Sequence, residues 1–173
     1  MAYLMKWLFS LLSINKIPQV EESAGLTMRM GKCVPVDEVF KAWTSGDLSK
    51  MLGALNSKTN LIDRHFLLQS IVTATYKLRK NSSKREICIK ISEVHIQEFS
   101  KIAPALQKDM GGQLPRISTF QQYATVLTED GNYEKAISVC EKALEYGVHD
   151  GTKSGFEGRI ARIRKKVVQD INK

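Results

Sequence analysis

The chain has 173 residues, 43% of them hydrophobic and 25% charged, a composition typical of globular proteins and unlike that of disordered chains. This length suffices for one domain with a single core that needs no metal or disulfide. The 26 Lys and Arg against 18 Asp and Glu give a net charge of +8, which favours acidic partners such as nucleic acid, an anionic membrane or an acidic protein.

The first thirteen residues, MAYLMKWLFSLLS, form an apolar run that is too short to cross a bilayer, which takes about 20 residues. Lys6 lies inside the run and no cleavage site follows promptly, unlike in a signal peptide. We expect residues 1–13 to form a hydrophobic helix that docks on the core or at an interface. The alternative is a signal or anchor that gives peripheral membrane contact and a membrane-associated location.

Residues 14–35 contain two prolines and two glycines and lack a sustained apolar period, which predicts a loop or tether. Residues 1–35 are therefore expected to precede a helical domain over 36–173. Pro35 is suited to the start of a short helix, VDEVFKAW. Proline has no backbone N–H group, and the N–H groups of a first helical turn have no partner within the helix in any case. Ser45, Gly46 and Asp47 end that helix and begin a second one, LSKMLGALN.

The next two predicted helices run over Leu61–Lys80 and from Lys84 to about Ile102. Asn60 is expected to cap the first helix, and the capping box Ser83–Glu86 is expected to open the second. The alternation in ICIKI (87–91) would also fit a strand, but a helical period favours a helix. That period comprises Cys88, Ile91, His95, Phe99 and Ile102. Pro104 should kink or end the helix.

Two further capping boxes, Ser118–Gln121 and Ser154–Glu157, predict the remaining helix starts. Gly131 suits the left-handed residue that ends a helix, Asn132 can cap the following one, and Gly147 ends it. The last helix, residues 154–171, has an apolar stripe on one side and cations on the other. The stripe comprises Phe156, Ile160, Ile163 and Val167. The whole chain reads as all-α, without a strand.

Residues 117–149 carry an internal pattern of apolar and small side chains. Its members are Phe120, Tyr123, Ala124 and Leu127, then Gly131 and Tyr133, then Ala136, Cys140, Ala143 and Leu144. This spacing resembles a tetratricopeptide repeat (TPR), whose two helices pack through small residues. Phe120 stands in the place of the usual Trp, Ala124 in that of Gly, and no proline follows near Val148.

The resemblance implies α-α hairpins in a right-handed helical array, with a divergent repeat over 61–102 and a solvating cap helix over 154–171. In this family, partner peptides commonly lie along the first helices of successive repeats. In this chain, the resemblance implies that the corresponding partner-binding face presents Gln121, Thr125 and Thr128. These side chains are uncharged, so the family's clamp for a peptide's terminal carboxylate is absent.

Catalytic and metal-binding patterns are missing from the sequence, including phosphate loops and H-E-x-x-H or G-x-S-x-G motifs. Cys88 and His95 lie two helical turns, about 10 Å, apart, too far for a nucleophile and its base. The three cysteines, Cys33, Cys88 and Cys140, are widely spaced, which predicts reduced thiols and a cytoplasmic location. We therefore expect no enzyme, no cofactor and no metal.

Two basic clusters suggest anion binding. The first, over 77–90, comprises Lys77, Arg79, Lys80, Lys84, Arg85 and Lys90, with Glu86 as its one opposing charge. The second, over 159–166, includes Arg162, Lys165 and Lys166. Such clusters can neutralise phosphates or can simply be solvated surface. Few aromatic side chains lie among them, which argues against sequence-specific reading of single strands.

The sequence therefore predicts a non-enzymatic scaffold or adaptor that binds a protein, a peptide or a second copy of itself. The alternative is a nucleic-acid-associated factor that contacts the phosphate backbone through the two basic clusters.

Overall fold

In the computed structural model of the protein, residues 25–172 are described. They form one β-hairpin and seven α-helices. The strands are β1 (Leu26–Arg29) and β2 (Lys32–Pro35); the helices are α1 (Glu38–Ser45), α2 (Leu48–Gly53), α3 (Leu61–Lys77), α4 (Ser82–Asp109), α5 (Ser118–Glu129), α6 (Tyr133–Glu145) and α7 (Gly155–Ile171). The predicted helix over 1–13 and residues 14–24 of the tether lie outside the described residues.

The hairpin corrects the prediction of a loop up to residue 35 and of a chain without strands. The strands are antiparallel, with Met28 opposite Cys33, and Met30 and Gly31 connect them with φ of 50° and 75°. Two positive φ values fit the tight turn whose twist matches that of the strands. The sequence does contain a hairpin pattern, a glycine turn between two runs in which side chains alternate between the two faces. Each run, however, has only four residues. The fold is largely α-helical with a small β-hairpin.

The first two helices are confirmed, but Pro35 does not open α1: it belongs to β2, and α1 begins at Glu38 with Asp37 as its cap. The Asp37 carboxylate accepts a hydrogen bond of 2.7 Å from the Phe40 amide at the start of α1. Gly46 ends α1 with a φ of 68°, and Asp47 caps α2 through the Ser49 amide. A single 3-10 turn, Ala54–Asn56, follows α2. Local capping thus determines this part of the chain.

α3 begins as predicted, because the Asn60 side chain accepts hydrogen bonds from the Ile62 and Asp63 amides. α4 is a helix, as the 3.6-residue period indicates, but it begins at Ser82 with Asn81 as its cap. Pro104 does not end it, and the helix runs to Asp109. Ile102 and Leu106 are fully buried, and about 2 kcal/mol from burying each offsets the roughly 3 kcal/mol cost of an interior proline.

The predicted capping boxes do not form in the structure. Neither Ser83 nor Ser118 is a cap: Asn81 precedes α4, and Ile117 precedes α5 without a side-chain cap. Ser154 precedes α7 but makes no capping bond; its hydroxyl accepts a bond from Arg162 instead. At α4 the Asn81 side chain takes the capping role, and at α5 the Ser118 amide donates to the Gln69 side chain instead.

The helices pack as neighbouring pairs, α3 with α4, α5 with α6, and α6 with α7. Ala124 and Ala136 are fully buried between α5 and α6, as close packing requires. Leu144, expected to pack, is instead 39% exposed. Edge-to-face contacts join Phe99 to Phe120 at 5.2 Å and to Tyr146 at 4.9 Å, so α4 packs against α5 and against the residue that follows α6. Among residues 25–172, no helix has the length and apolar character needed to traverse a bilayer.

Candidate functional site

A groove between α5 and α7 brings together residues that the sequence assigned to two separate sites. Thr125 and Thr128 come from the predicted partner-binding face, and Arg162 and Lys166 from the second basic cluster. The groove has a volume of about 210 Å³. Its remaining lining consists of Glu129, Arg159 and Ile163. The two predictions therefore converge on one surface.

The α5 wall of the groove is polar but already hydrogen-bonded. The Thr125 hydroxyl donates to the Gln121 carbonyl oxygen at 2.9 Å, and the Thr128 hydroxyl donates to that of Ala124 at 2.7 Å. Both threonines are half-buried, less exposed than the sequence predicted. Gln121 is also half-buried and lies outside the groove lining, where its side-chain oxygen accepts a bond from Arg116.

Arg159 joins the two walls of the groove. Its guanidinium donates to the Thr125 hydroxyl at 3.1 Å and to Asp150 at 3.3 Å. Asp150 has a fully buried side chain. Burial alone would raise the pKa of Asp150, but hydrogen bonds from Thr152 and Arg159 outweigh it and hold the pKa below its usual value. Arg159 therefore stabilises the fold, because its charge is paired with that of the buried Asp150.

Two other cations on α7 are exposed and contact neutral groups. Arg162 donates to the Ser154 hydroxyl at 3.1 Å, and the Lys166 ammonium lies 5.9 Å from the centre of the Tyr133 ring. These contacts orient the two side chains, and the Tyr133 hydroxyl in turn donates to the Asp170 carboxylate. Ile163, which is 3% exposed, lies between Arg162 and Lys166 in sequence and gives the groove an apolar floor.

Glu129, the carboxylate of the groove lining, is held by the first basic cluster. Arg79 and Arg85 approach its oxygens at 2.9 and 3.1 Å, and the hydrogen bond from Arg79, followed by that from Arg85, lowers its pKa. Arg85 also contacts Asp130 at 2.7 Å. The expectation that Glu86 alone opposes this cluster is therefore wrong.

The arginines of the first cluster thus fasten the turn between α3 and α4 to the end of α5. Arg79 also lies 4.2 Å from the centre of the Tyr76 ring, a favourable cation–π distance. Of the predicted anion-binding lysines, Lys77 and Lys80 are exposed and Lys84 is half-buried. On α7, Lys165 is exposed but does not line the groove.

Comparisons with protein families, with curated proteins and with solved structures found no match. The likeness to a tetratricopeptide repeat therefore depends on the residues of the 117–149 stretch and on its packed helix pair. The functional interpretation depends on the charged and apolar residues that line the groove.

A buried histidine pair, which the sequence analysis missed, occupies the centre of the helical body. His65 Nδ1 lies 2.9 Å from His95 Nε2, and His95 Nδ1 lies 2.8 Å from the Thr119 hydroxyl. Cys88 contacts the Val72 carbonyl oxygen instead of a histidine, as a core role implies. No sequence signal links two single histidines thirty positions apart. Within residues 25–172, no group of three or more His, Cys, Asp or Glu side chains is placed to hold a metal.

Proposed function

We propose that the protein is a non-enzymatic binding module, of scaffold or adaptor type, that holds an acidic peptide segment of a partner protein in the α5–α7 groove. One observation supports this above all: an apolar floor at Ile163 is flanked by Arg162 and Lys166, which contact neutral groups. The groove carboxylate, Glu129, is already neutralised by two arginines. The groove therefore favours anionic side chains.

The repeat resemblance supports the same face. In the tetratricopeptide family, partner peptides commonly lie along the first helices of repeats, and α5 is the first helix of the 117–149 stretch. In chain order, α7 follows α6 and packs against it, as the first helix of a next repeat would. We infer that α5 and α6 form one repeat, that α7 is its cap, and that α3 and α4 are a divergent neighbour in a right-handed array.

The expected affinity is modest and depends on salt. Charges at the rim of a groove contribute about 0.5–1 kcal/mol each, because water and salt screen them. The apolar floor adds a hydrophobic contribution that salt does not screen. A peptide that alternates acidic and apolar side chains would use both features. The net charge of +8 should also speed its association.

We predict that the double substitution Arg162→Glu with Lys166→Glu weakens binding of a fluorescent peptide of Glu, Leu and Ser by about tenfold. Two rim contacts are lost and two repulsive charges replace them. Fluorescence anisotropy at about 0.05 M salt, where screening is weak, measures the dissociation constant. Circular dichroism confirms that each variant remains helical.

The matched control is Arg164→Glu with Lys165→Glu, which makes the same charge change on the same helix. Both residues are exposed and neither lines the groove. This control should change the peptide's dissociation constant less than threefold, or roughly 0.6 kcal/mol. Equal losses in the two double variants, or no binding of the acidic peptide by the unmodified protein, would refute the groove as its site.

The same variants test the alternative function, phosphate-backbone binding by the exposed cations of α7. Four of them, Arg162, Arg164, Lys165 and Lys166, are exposed on one helix. Non-specific nucleic-acid binding would weaken steeply as salt rises. It would also respond equally to both double substitutions. A titration with oligo-dT at low and high salt therefore separates the two functions.

A further inference from the structure

A second pocket, of about 220 Å³, lies between the loop that precedes α5 and the loop that follows α6. It shares no lining residue with the α5–α7 groove. Its apolar lining includes Leu114, Pro115 and Val148. Its basic side chains are Arg116 and His149. Pockets for drug-sized ligands measure roughly 300 Å³ or more, so this volume suits one side chain or a small anion.

Arg116 supplies the positive charge of this pocket. Its exposed guanidinium donates through Nη2 to two uncharged oxygens, the Gln121 side-chain oxygen and the Asp150 carbonyl oxygen, both at 3.3 Å. No carboxylate among residues 25–172 forms an ion pair with Arg116. An anion can therefore bind the guanidinium without displacing a carboxylate.

The loop over 147–151 determines which nitrogen of His149 can donate. The Gly151 amide donates to His149 Nδ1 at 2.9 Å, so the proton of the neutral imidazole lies on Nε2. Gly151 has a φ of 79°, and a β-carbon there would lie 3.3 Å from Arg116 Cζ. The missing side chain thus lets the guanidinium lie against the residue that orients His149. N–H donors of two side chains therefore border one pocket.

This pocket adjoins the α5–α7 groove. The Asp150 carbonyl oxygen accepts from Arg116, and its carboxylate accepts from Arg159, which lines the groove. Gln121, the other contact of Arg116, lies on the same face of α5 as Thr128, two turns away. The helix rise separates these two residues by about 10 Å, which about three residues of an extended peptide would span. The predicted partner-binding face of α5 thus leads from the pocket to the groove.

The donors of the pocket suit a phosphate monoester better than a carboxylate. A phosphorylated side chain carries a charge of about −1.5 to −2 near neutral pH and three strong acceptor oxygens, so it can accept from both donors at once. The planar guanidinium of arginine matches phosphate geometry. We propose that this pocket binds a phosphorylated serine or threonine of the same acidic peptide that occupies the groove, an inference that rests on the proposed function.

The test compares two fluorescent peptides of Glu, Leu and Ser that differ only in a phosphate on one serine, about three residues from the nearest glutamate. A second pair carries that serine at the other end, which covers both chain directions. Fluorescence anisotropy gives the ratio of the two dissociation constants, so effects on the groove itself cancel. In the unmodified protein the phosphate should improve the affinity about tenfold, as charge-assisted hydrogen bonds in contact with water would.

Two variants remove the donors one at a time. Arg116→Gln should reduce the ratio to about one, and His149→Asn should reduce it to about threefold. Asparagine keeps an acceptor for the Gly151 amide near the position of Nδ1 but lacks the Nε2 donor. The matched control, Arg164→Gln, removes the same charge from an exposed residue that lines neither cavity. It should keep the ratio near about tenfold, and circular dichroism confirms that each variant remains helical.

Several results would overturn the proposal. An unchanged ratio in Arg116→Gln would mean that the phosphate binds elsewhere, and an equal loss in Arg164→Gln would mean that net charge alone attracts it. Equal affinity for a peptide with glutamate in place of the phosphoserine would mean that a carboxylate suffices. If the unphosphorylated peptide binds and the phosphate adds nothing, this inference fails and the proposed function stands. If neither peptide binds, both fail.

Discussion

Acidification from about pH 7.5 to about pH 5 should lower the free energy of unfolding by about 2 kcal/mol for each of the two buried histidines, His65 and His95. Burial lowers the pKa of His65 to about 4 and that of His95 well below its usual value. In the unfolded chain both imidazoles take up protons near pH 6.5. The unfolded state therefore binds more protons across this window, and stability present above pH 6.5 is lost as the pH falls.

The surroundings of the pair explain why the neutral forms are favoured. The Phe66 and Phe99 rings contact the two imidazoles, and the nearby Arg64 cation further lowers the pKa of His95. Arg64 is itself paired with Glu98 at 2.8 Å. Among residues 25–172, the buried His65 Nε2 has no hydrogen-bond partner, so a protonated ring would hold an N–H there in an apolar environment without an acceptor.

Urea unfolding at a series of pH values measures this effect. Carboxylates with lowered pKa values, such as Glu129 and Glu93, lose their stabilisation only below about pH 4.5, so the window above pH 5 isolates the histidines. His65→Gln should roughly halve the slope of the free energy of unfolding against pH in this window. NMR titration of the imidazoles should show His65 neutral at pH 5; a protonated His65 there would contradict the prediction.

The sequence predicts the helices well because their signals are local. The period of apolar residues in α4 outweighs both the alternation in ICIKI and the effect of Pro104, since each turn buries side chains such as Phe99 and Ile102. Asn60 caps α3 as expected because its acceptor needs only the two amides that follow. The hairpin was missed because its stability depends on Arg29 and Asp63, thirty-four positions apart.

The candidate site was predicted in parts for the same reason. Spacing on one helix indicated Thr125 and Thr128, and charge clustering indicated Arg162 and Lys166, but their meeting in one groove depends on how α5 and α7 pack. The pairing of Arg79 with Glu129 joins residues fifty positions apart. Net charge along the sequence could not show that the two arginines of the first cluster pair with Glu129 and Asp130, whereas Arg162 and Lys166 of the second cluster lie exposed at the groove.

Replacing Asp63 with alanine should cost about 3–5 kcal/mol of stability, because it leaves the cation of a nearly buried pair without its partner. The side chain of Asp63 is 1% exposed and that of Arg29 is 12% exposed. The carboxylate also accepts hydrogen bonds from Trp43 Nε1 at 3.1 Å and from Asn60 Nδ2 at 2.6 Å. One residue thus joins the hairpin, α1 and the start of α3.

Glu98→Ala provides the matched comparison. Its partner Arg64 makes the same two-pronged contact, but the two side chains are 20% and 34% exposed, so solvent screening should limit the cost to about 1 kcal/mol or less. Urea unfolding measures both variants, and a double-mutant cycle with Arg29→Ala isolates the pair. The rate of amide hydrogen exchange at Thr27 and Val34 should rise in Asp63→Ala alone, because the hairpin loses its contact with α3. Equal losses of stability in Asp63→Ala and Glu98→Ala would mean that burial does not determine the strength of these ion pairs.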